Sequence, residues 1–132
     1  MSFALCWDGS GLLKRFGGYV SAEEFMDSAD ASFSHPDIDR ARYIINDFSN
    51  VTGHGLCDAV AEYVGVMRMG ASLSTPNLRV LYISTDESIR DFVAALTAHP
   101  FHTAWETRVF PTMSLAEAWL KLQPRLNRMA WR

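Results

Sequence analysis

Two β-rich runs, Tyr43-Ile44-Ile45 and Leu78-Arg79-Val80-Leu81-Tyr82-Ile83-Ser84, stand either side of a helical stripe. That alternation restricts the fold more than any other feature of the chain. β-Branched and aromatic runs of this kind suit strands covered on both faces. Strand, helix, strand in sequence implies parallel strands joined by right-handed crossovers. The first run belongs to a longer stretch, Arg42 to Ser49, read as a central strand. Asn50-Val51-Thr52-Gly53-His54-Gly55-Leu56 then reads as a tight loop feeding a helix. A loop at the carboxyl end of a central strand is where open α/β sheets place functional groups.

The rest of the chain extends the alternation in both directions. Phe3 to Trp7 is a short apolar run, and Asp8-Gly9 after it is a hairpin signal. Leu12 to Phe16 returns as a strand, with Lys14 and Arg15 fitting the solvated side of an edge. Gly17-Gly18 breaks it. Ser21-Ala22-Glu23-Glu24 is a capping box, and Phe25, Ala29 and Phe33 form one helix face that ends at His35-Pro36. Leu56, Val60, Tyr63, Val64 and Met67 give the next stripe, closed at Gly70. Thr85 or Asp86 caps a helix with Ile89, Phe92, Val93 and Leu96 inward. His99-Pro100 ends that helix, and Trp105 to Phe110 is the last strand. Ser114-Leu115-Ala116-Glu117 reads as a second capping box, with Leu115, Ala118, Trp119 and Leu122 on the buried face. The expectation is a single α/β domain over residues 1–123. Its sheet of about four to five mainly parallel strands carries an antiparallel N-terminal hairpin and about four helices. Residues 124–132 hold Arg125, Arg128 and Arg132 without an acid and read as a basic tail.

Composition removes several classes of function. A chain of 132 residues supports one domain with one sizeable core. Its formal net charge of -3 disfavours nucleic acid as a partner, since phosphate binding needs a basic face. Cys6 and Cys57 are too few and too far apart for a disulfide framework or a zinc site, and both are expected as small buried thiols. No apolar run approaches the ~20 residues of a membrane helix, and Met1-Ser2-Phe3 is unlike a signal peptide. The expectation is a cytoplasmic protein without an integral membrane segment.

Candidate chemistry concentrates in the stretch after Ile45. Asp47 and His54 are a carboxylate and an imidazole at one strand-to-helix loop. They read either as a base and its orienter, or as a loop cap beside an exposed histidine. Gly53-x-Gly55 before a helix either contacts an anionic ligand through helix-start amides or merely turns the chain. His35, His99 and His102 lie near prolines at helix ends, with no cysteine or acid close by to complete a metal site. No cofactor or metal is expected, and no catalytic residue is assigned. Met67 fits the core stripe, whereas Arg68 and Met69 are expected to face a partner or solvent.

The order of elements, with four local motifs, resembles the SpoIIAA-like proteins, relatives of the STAS domains that include bacterial anti-sigma-factor antagonists. The motifs are Gly18-Tyr19-Val20-Ser21-Ala22-Glu23-Glu24-Phe25, Asp47-Phe48-Ser49-Asn50-Val51, Gly55-Leu56, and Phe110 with Ala118-Trp119-Leu120. The resemblance spans roughly residues 3 to 123. Phosphorylated antagonists carry an Asp-Ser-Ser-Gly-Leu type sequence whose serine beside the glycine takes the phosphate. Here Gly53 and His54 precede Gly55-Leu56, so the phosphoacceptor serine is missing at that position.

The resemblance implies a non-catalytic regulatory module that works by contact with a protein partner or with itself, as a homodimer. Its contact surface would be Asp47, Ser49, Thr52, Gly53, His54 and Gly55, with Arg68 and Met69 on the following helix. A carrier of a small apolar or anionic ligand, or of a lipid, is a second reading. A hydrolase or transferase built on Asp47 and His54 is a third.

Overall fold

The computed structural model describes residues 3–98 and 105–123. His99, Pro100, His102 and the basic tail lie outside the described residues. Five strands form one sheet in the order β1-β2-β3-β4-β5. They are β1 Phe3–Trp7, β2 Leu12–Val20, β3 Tyr43–His54, β4 Arg79–Ile83 and β5 Glu106–Phe110. β1 and β2 pair antiparallel, and every other neighbouring pair is parallel. The helices are α1 Ala22–Phe33, α2 Asp58–Ala71, α3 Glu87–Ala98 and α4 Met113–Leu122, with a 3₁₀ turn at Ile38–Arg40. The expected order of strands and helices is the observed one.

The hairpin turn forms because Asp8 Oδ1 accepts from the amides of Ser10 and Gly11 at 2.9 and 2.8 Å. Gly9 takes the positive φ of 96° that this turn requires. At α1 the capping box is complete. The Glu24 amide donates to Ser21 Oγ at 3.0 Å, and Glu24 Oε1 accepts from the Ser21 amide.

Alternation along the central strands separates two cores. Ile44, Val80 and Tyr82 face α1, α2 and α3, where Phe25, Phe48 and Phe92 gather around Tyr82 and Phe16 packs on Phe25 and Phe48. Ile45, Leu81 and Ile83 face the other way, against α4. The helix α4 packs on β4 and β5.

Several local expectations are corrected. Gly17-Gly18 does not break β2: the strand runs on to Val20, with Gly18 at φ +66° and register shifts on either side. β2 is an interior strand, flanked by β1 and β3, and Lys14 is buried rather than solvated. Cys6 and Cys57 are both exposed free thiols. Cys6 lies on the β1 face that points away from α1, and Cys57 is the N-cap residue of α2. The last helix is capped by Thr112, whose Oγ1 accepts from the Leu115 amide at 3.3 Å, and not by Ser114. The helix starts two residues earlier than expected, and its inward face is different. Ala116 is buried with Met113, Trp119 and Leu120 against the core, while Leu115, Ala118 and Leu122 are exposed.

Candidate functional site

β3 carries the candidate residues, and it is longer than its sequence suggests. The stretch Asn50–His54, expected as a loop, continues the strand and pairs with Gly17–Val20 of β2. Extra residues on β3 opposite Arg15–Gly17 and Gly18–Tyr19 bulge it, which bends and twists a strand locally. The β2–β3 ribbon so formed runs past the end of β4, whose last residue pairs with Asp47. α1, α2 and α3 all begin around this ribbon.

His54 closes the ribbon against α3. Its Nδ1 accepts the Leu56 amide at 3.0 Å, so in the neutral ring Nε2 carries the proton. Nε2 then donates to Ser88 Oγ at 2.6 Å. Ser88 Oγ donates in turn to Asp86 Oδ1 at 2.8 Å, and the Ser88 amide donates to the same oxygen at 2.9 Å. These two bonds from Ser88 hold the Asp86 carboxyl below the usual carboxylate range. Asp86 Oδ2 lies 3.9 Å from His54 Nε2. The imidazole is therefore locked by three elements: the end of β3, the start of α2 and the first turn of α3.

This polarity matters for the hydrolase reading. A serine nucleophile needs its histidine to accept the hydroxyl proton at the facing nitrogen. Here that nitrogen is a donor, and the serine proton points to a carboxylate.

Asp47 is not the partner of His54. At about 3.3 Å per residue, their register partners Arg15 and Val20 put them roughly 17 Å apart along the strand. Asp47 Oδ1 accepts instead from the Ser49 amide at 3.0 Å and from Ser49 Oγ. Ser49 and Thr52 are exposed on the ribbon.

The two glycines are set by close approach. A Cβ at Gly53 would stand 3.3 Å from the Tyr19 ring, and one at Gly55 3.1 Å from the Tyr19 hydroxyl and 3.3 Å from the Ala22 amide nitrogen. Tyr19, 60% exposed, thus lies over the glycine backbone.

On α2 the two expected contact residues part company. Met69 is exposed, as expected. Arg68 is 2% exposed and points into the core, where its Nη2 donates to Thr107 Oγ1 at 2.6 Å and its guanidinium lies 5.4 Å from the Trp105 ring centroid. Arg68 is therefore no part of an outward surface.

Sequence reasoning missed Tyr19, Asp86 and Ser88 as neighbours of His54. Asp86 was in view only as a helix cap, and its position after the adjoining parallel strand was the available signal. Also missed was a polar row inside the large core, Lys14, Asn46 and Tyr82, which are register partners across β2, β3 and β4. Burial lowers the Lys14 amine to about 7 and raises the Tyr82 phenol to about 12. A cavity of about 20 Å³ adjoins this row. A space that size holds a water-sized species and no lipid chain.

Among the described residues, no group of three or more histidine, cysteine, aspartate or glutamate side chains could hold a metal ion. Among them also, no helix is long and apolar enough to cross a membrane.

No family model matches the sequence, and no curated protein matches it. Solved structures do. The anti-sigma factor antagonist SpoIIAA in its unphosphorylated form superposes with a TM-score of 0.60 at 13% identity, covering 92% of this chain and 99% of that one. An uncharacterized protein of the DUF3478 family with a SpoIIAA-like fold, from Shewanella loihica PV-4, gives 0.48 at 18% identity over 89% of this chain and 91% of its own. A mixed five-stranded sheet with an antiparallel first hairpin and four helices, laid out as in SpoIIAA, is the SpoIIAA-like, STAS-related fold.

Proposed function

We propose that the protein is a non-catalytic regulatory module that acts by protein contact, through the outward face of α2 and the adjoining β2–β3 ribbon. The observation that carries this reading is the apolar face of α2. Tyr63, Val66 and Met69 are 40%, 45% and 44% exposed, and Leu73 just beyond the helix is 88% exposed. Spacing of three to four residues puts them on one side of the helix. Contiguous exposed apolar side chains of this kind mark contact surfaces in soluble domains. The contact is made with a second copy of the chain.

We assign to the contact also Ser49 and Thr52, exposed on the ribbon that leads into α2. By its resemblance to the phosphorylated antagonists, the chain has His54 before Gly55-Leu56 in place of their serine, and on this reading the contact is not switched by a serine phosphate there. The donor polarity of His54 towards Ser88 supports a structural rather than a catalytic imidazole. The cavity beside Asn46 is too small to hold a lipid chain.

Sedimentation equilibrium of the wild type and of Met69→Glu tests the reading. The wild type is expected to dimerise at micromolar concentration. Met69→Glu is expected to weaken association at least tenfold while leaving the circular dichroism and melting temperature unchanged, because an exposed substitution barely alters the fold. A wild type that stays monomeric, or a dimer indifferent to Met69→Glu, overturns it.

A further inference from the structure

We propose that the core between the sheet and helices α1 and α2 binds one small monovalent anion of halide size, held by the guanidinium of Arg68 with the ammonium of Lys14. Both side chains line the same small cavity, with Phe25, Val64, Asn46 and Tyr82. Lys14 is 3% and Arg68 2% exposed. Among the described residues, neither forms an ion pair with a carboxylate. Buried charges are normally paired, because desolvating an ion without a counter-charge is costly. Two cations lining one buried cavity, with no acid among the described residues that line it, leave the layer short of negative charge.

The hydrogen bonds locate the shortfall. Arg68 spends Nη2 on Thr107, but its Nε and Nη1 are buried with no partner. Lys14 Nζ donates to Ser28 Oγ at 3.2 Å, and Ser28 Oγ donates onward to the Phe25 carbonyl. An ammonium has three donors, so two remain. Asn46 Oδ1 is also without a partner, while Nδ2 donates to the Leu81 carbonyl at 3.3 Å. Lys14 is the register neighbour of Asn46 and supplies a donor suited to that oxygen. The unpartnered Nε and Nη1 of Arg68 then call for an acceptor that also carries charge. Water would accept the hydrogen bonds but would leave the guanidinium uncompensated.

Volume narrows the class. A cavity of about 20 Å³ admits a water-sized ion and excludes phosphate esters, nucleotides and carboxylated lipids. Burial lowers the Lys14 amine to about 7, and an anion at this place favours its charged form.

The test compares melting temperatures of the full chain in sodium chloride, sodium bromide and sodium gluconate at equal ionic strength. Gluconate is too large for the cavity. Halide is expected to raise the melting temperature with the logarithm of its concentration, by about 5 °C once it stands tenfold above its dissociation constant, and gluconate is not. Arg68→Met, of similar length and uncharged, is expected to lose the halide increment. Crystals of the wild type grown in bromide are expected to show an anomalous peak beside Arg68 Nε and Nη1, and this readout stands even if Arg68→Met does not fold. Equal melting temperatures in halide and gluconate, or only water or nothing at that place in bromide crystals, overturns the proposal.

Discussion

Lys14 is the residue whose environment departs furthest from its chemistry. It sits on an interior strand, over the rings of Phe16 and Phe25 at 5.8 and 5.2 Å. Unfolded, its amine titrates near 10.5; folded, burial lowers it to about 7. Below pH 7 both states are protonated, and folding must bury the ammonium. Between pH 7 and 10.5 the unfolded chain binds more protons, so this residue makes stability rise with pH, by at most about 1.4 kcal/mol per unit. Lys14→Met removes the term. In halide-free buffer the variant is expected to be more stable than the wild type at pH 6, by about 1–4 kcal/mol. The gap should narrow towards about pH 10. Urea midpoints of both proteins measured across this range check it, and a constant gap would show that Lys14 keeps an ordinary amine. The sequence held a clue to this burial. Leu12, Lys14 and Phe16 alternate with period two, which puts them on one face. Charge argued for solvent and period for the core, and period described the fold. Arg68 repeats the lesson, since Val60, Val64 and Arg68 are four residues apart on the inward stripe of α2.

At the scale of elements, sequence and structure agree wherever a local hydrogen-bond motif is strong, and differ where two motifs compete. The Ser21–Glu24 box fixed the start of α1 in advance. At α4 two hydroxyl residues stood two apart, and Ser114 with Glu117 made the fuller capping pattern. The chain used Thr112, which brings Met113 and Trp119 onto Ile45, Leu81 and Ile83. Thr112→Ala is therefore expected to cost about 1 kcal/mol, and Ser114→Ala next to nothing. Thermal denaturation of the two variants decides it, and a larger loss for Ser114→Ala would move the cap back. The length of β3 was hidden for a related reason. Gly53 and Gly55 read as loop formers, whereas the structure needs them small because Tyr19 and the start of α1 lie against them. That misreading placed Asp47 and His54 in one loop. The true partners of His54 come from α3 and are thirty-four residues away in sequence in the case of Ser88, a distance no local pattern spans.

For the molecule as a whole, the sheet separates two unequal layers. On one side three helices enclose an aromatic cluster. Phe25 lies 5.8 Å from both Phe16 and Phe92, 6.0 Å from Phe48 and 6.4 Å from Tyr82, centroid to centroid. It joins α1, α3 and three strands. On the other side α4 is the one helix among the described residues, and its large side chain Trp119 is half-buried, packed on Phe110 at 5.7 Å under the guanidinium groups of Arg79 and Arg108. Cooperative folding of so small a domain draws its few kcal/mol of net stability from the layer that buries more apolar surface. Phe25→Ala is therefore expected to cost about 3–5 kcal/mol, enough to leave a marginal domain largely unfolded. Trp119→Ala is expected to cost less than half as much, since much of its ring is already in contact with water and with charged side chains. Paired urea titrations of the two variants measure both losses. If Trp119→Ala proved as damaging as Phe25→Ala, α4 would be an equal partner in the core.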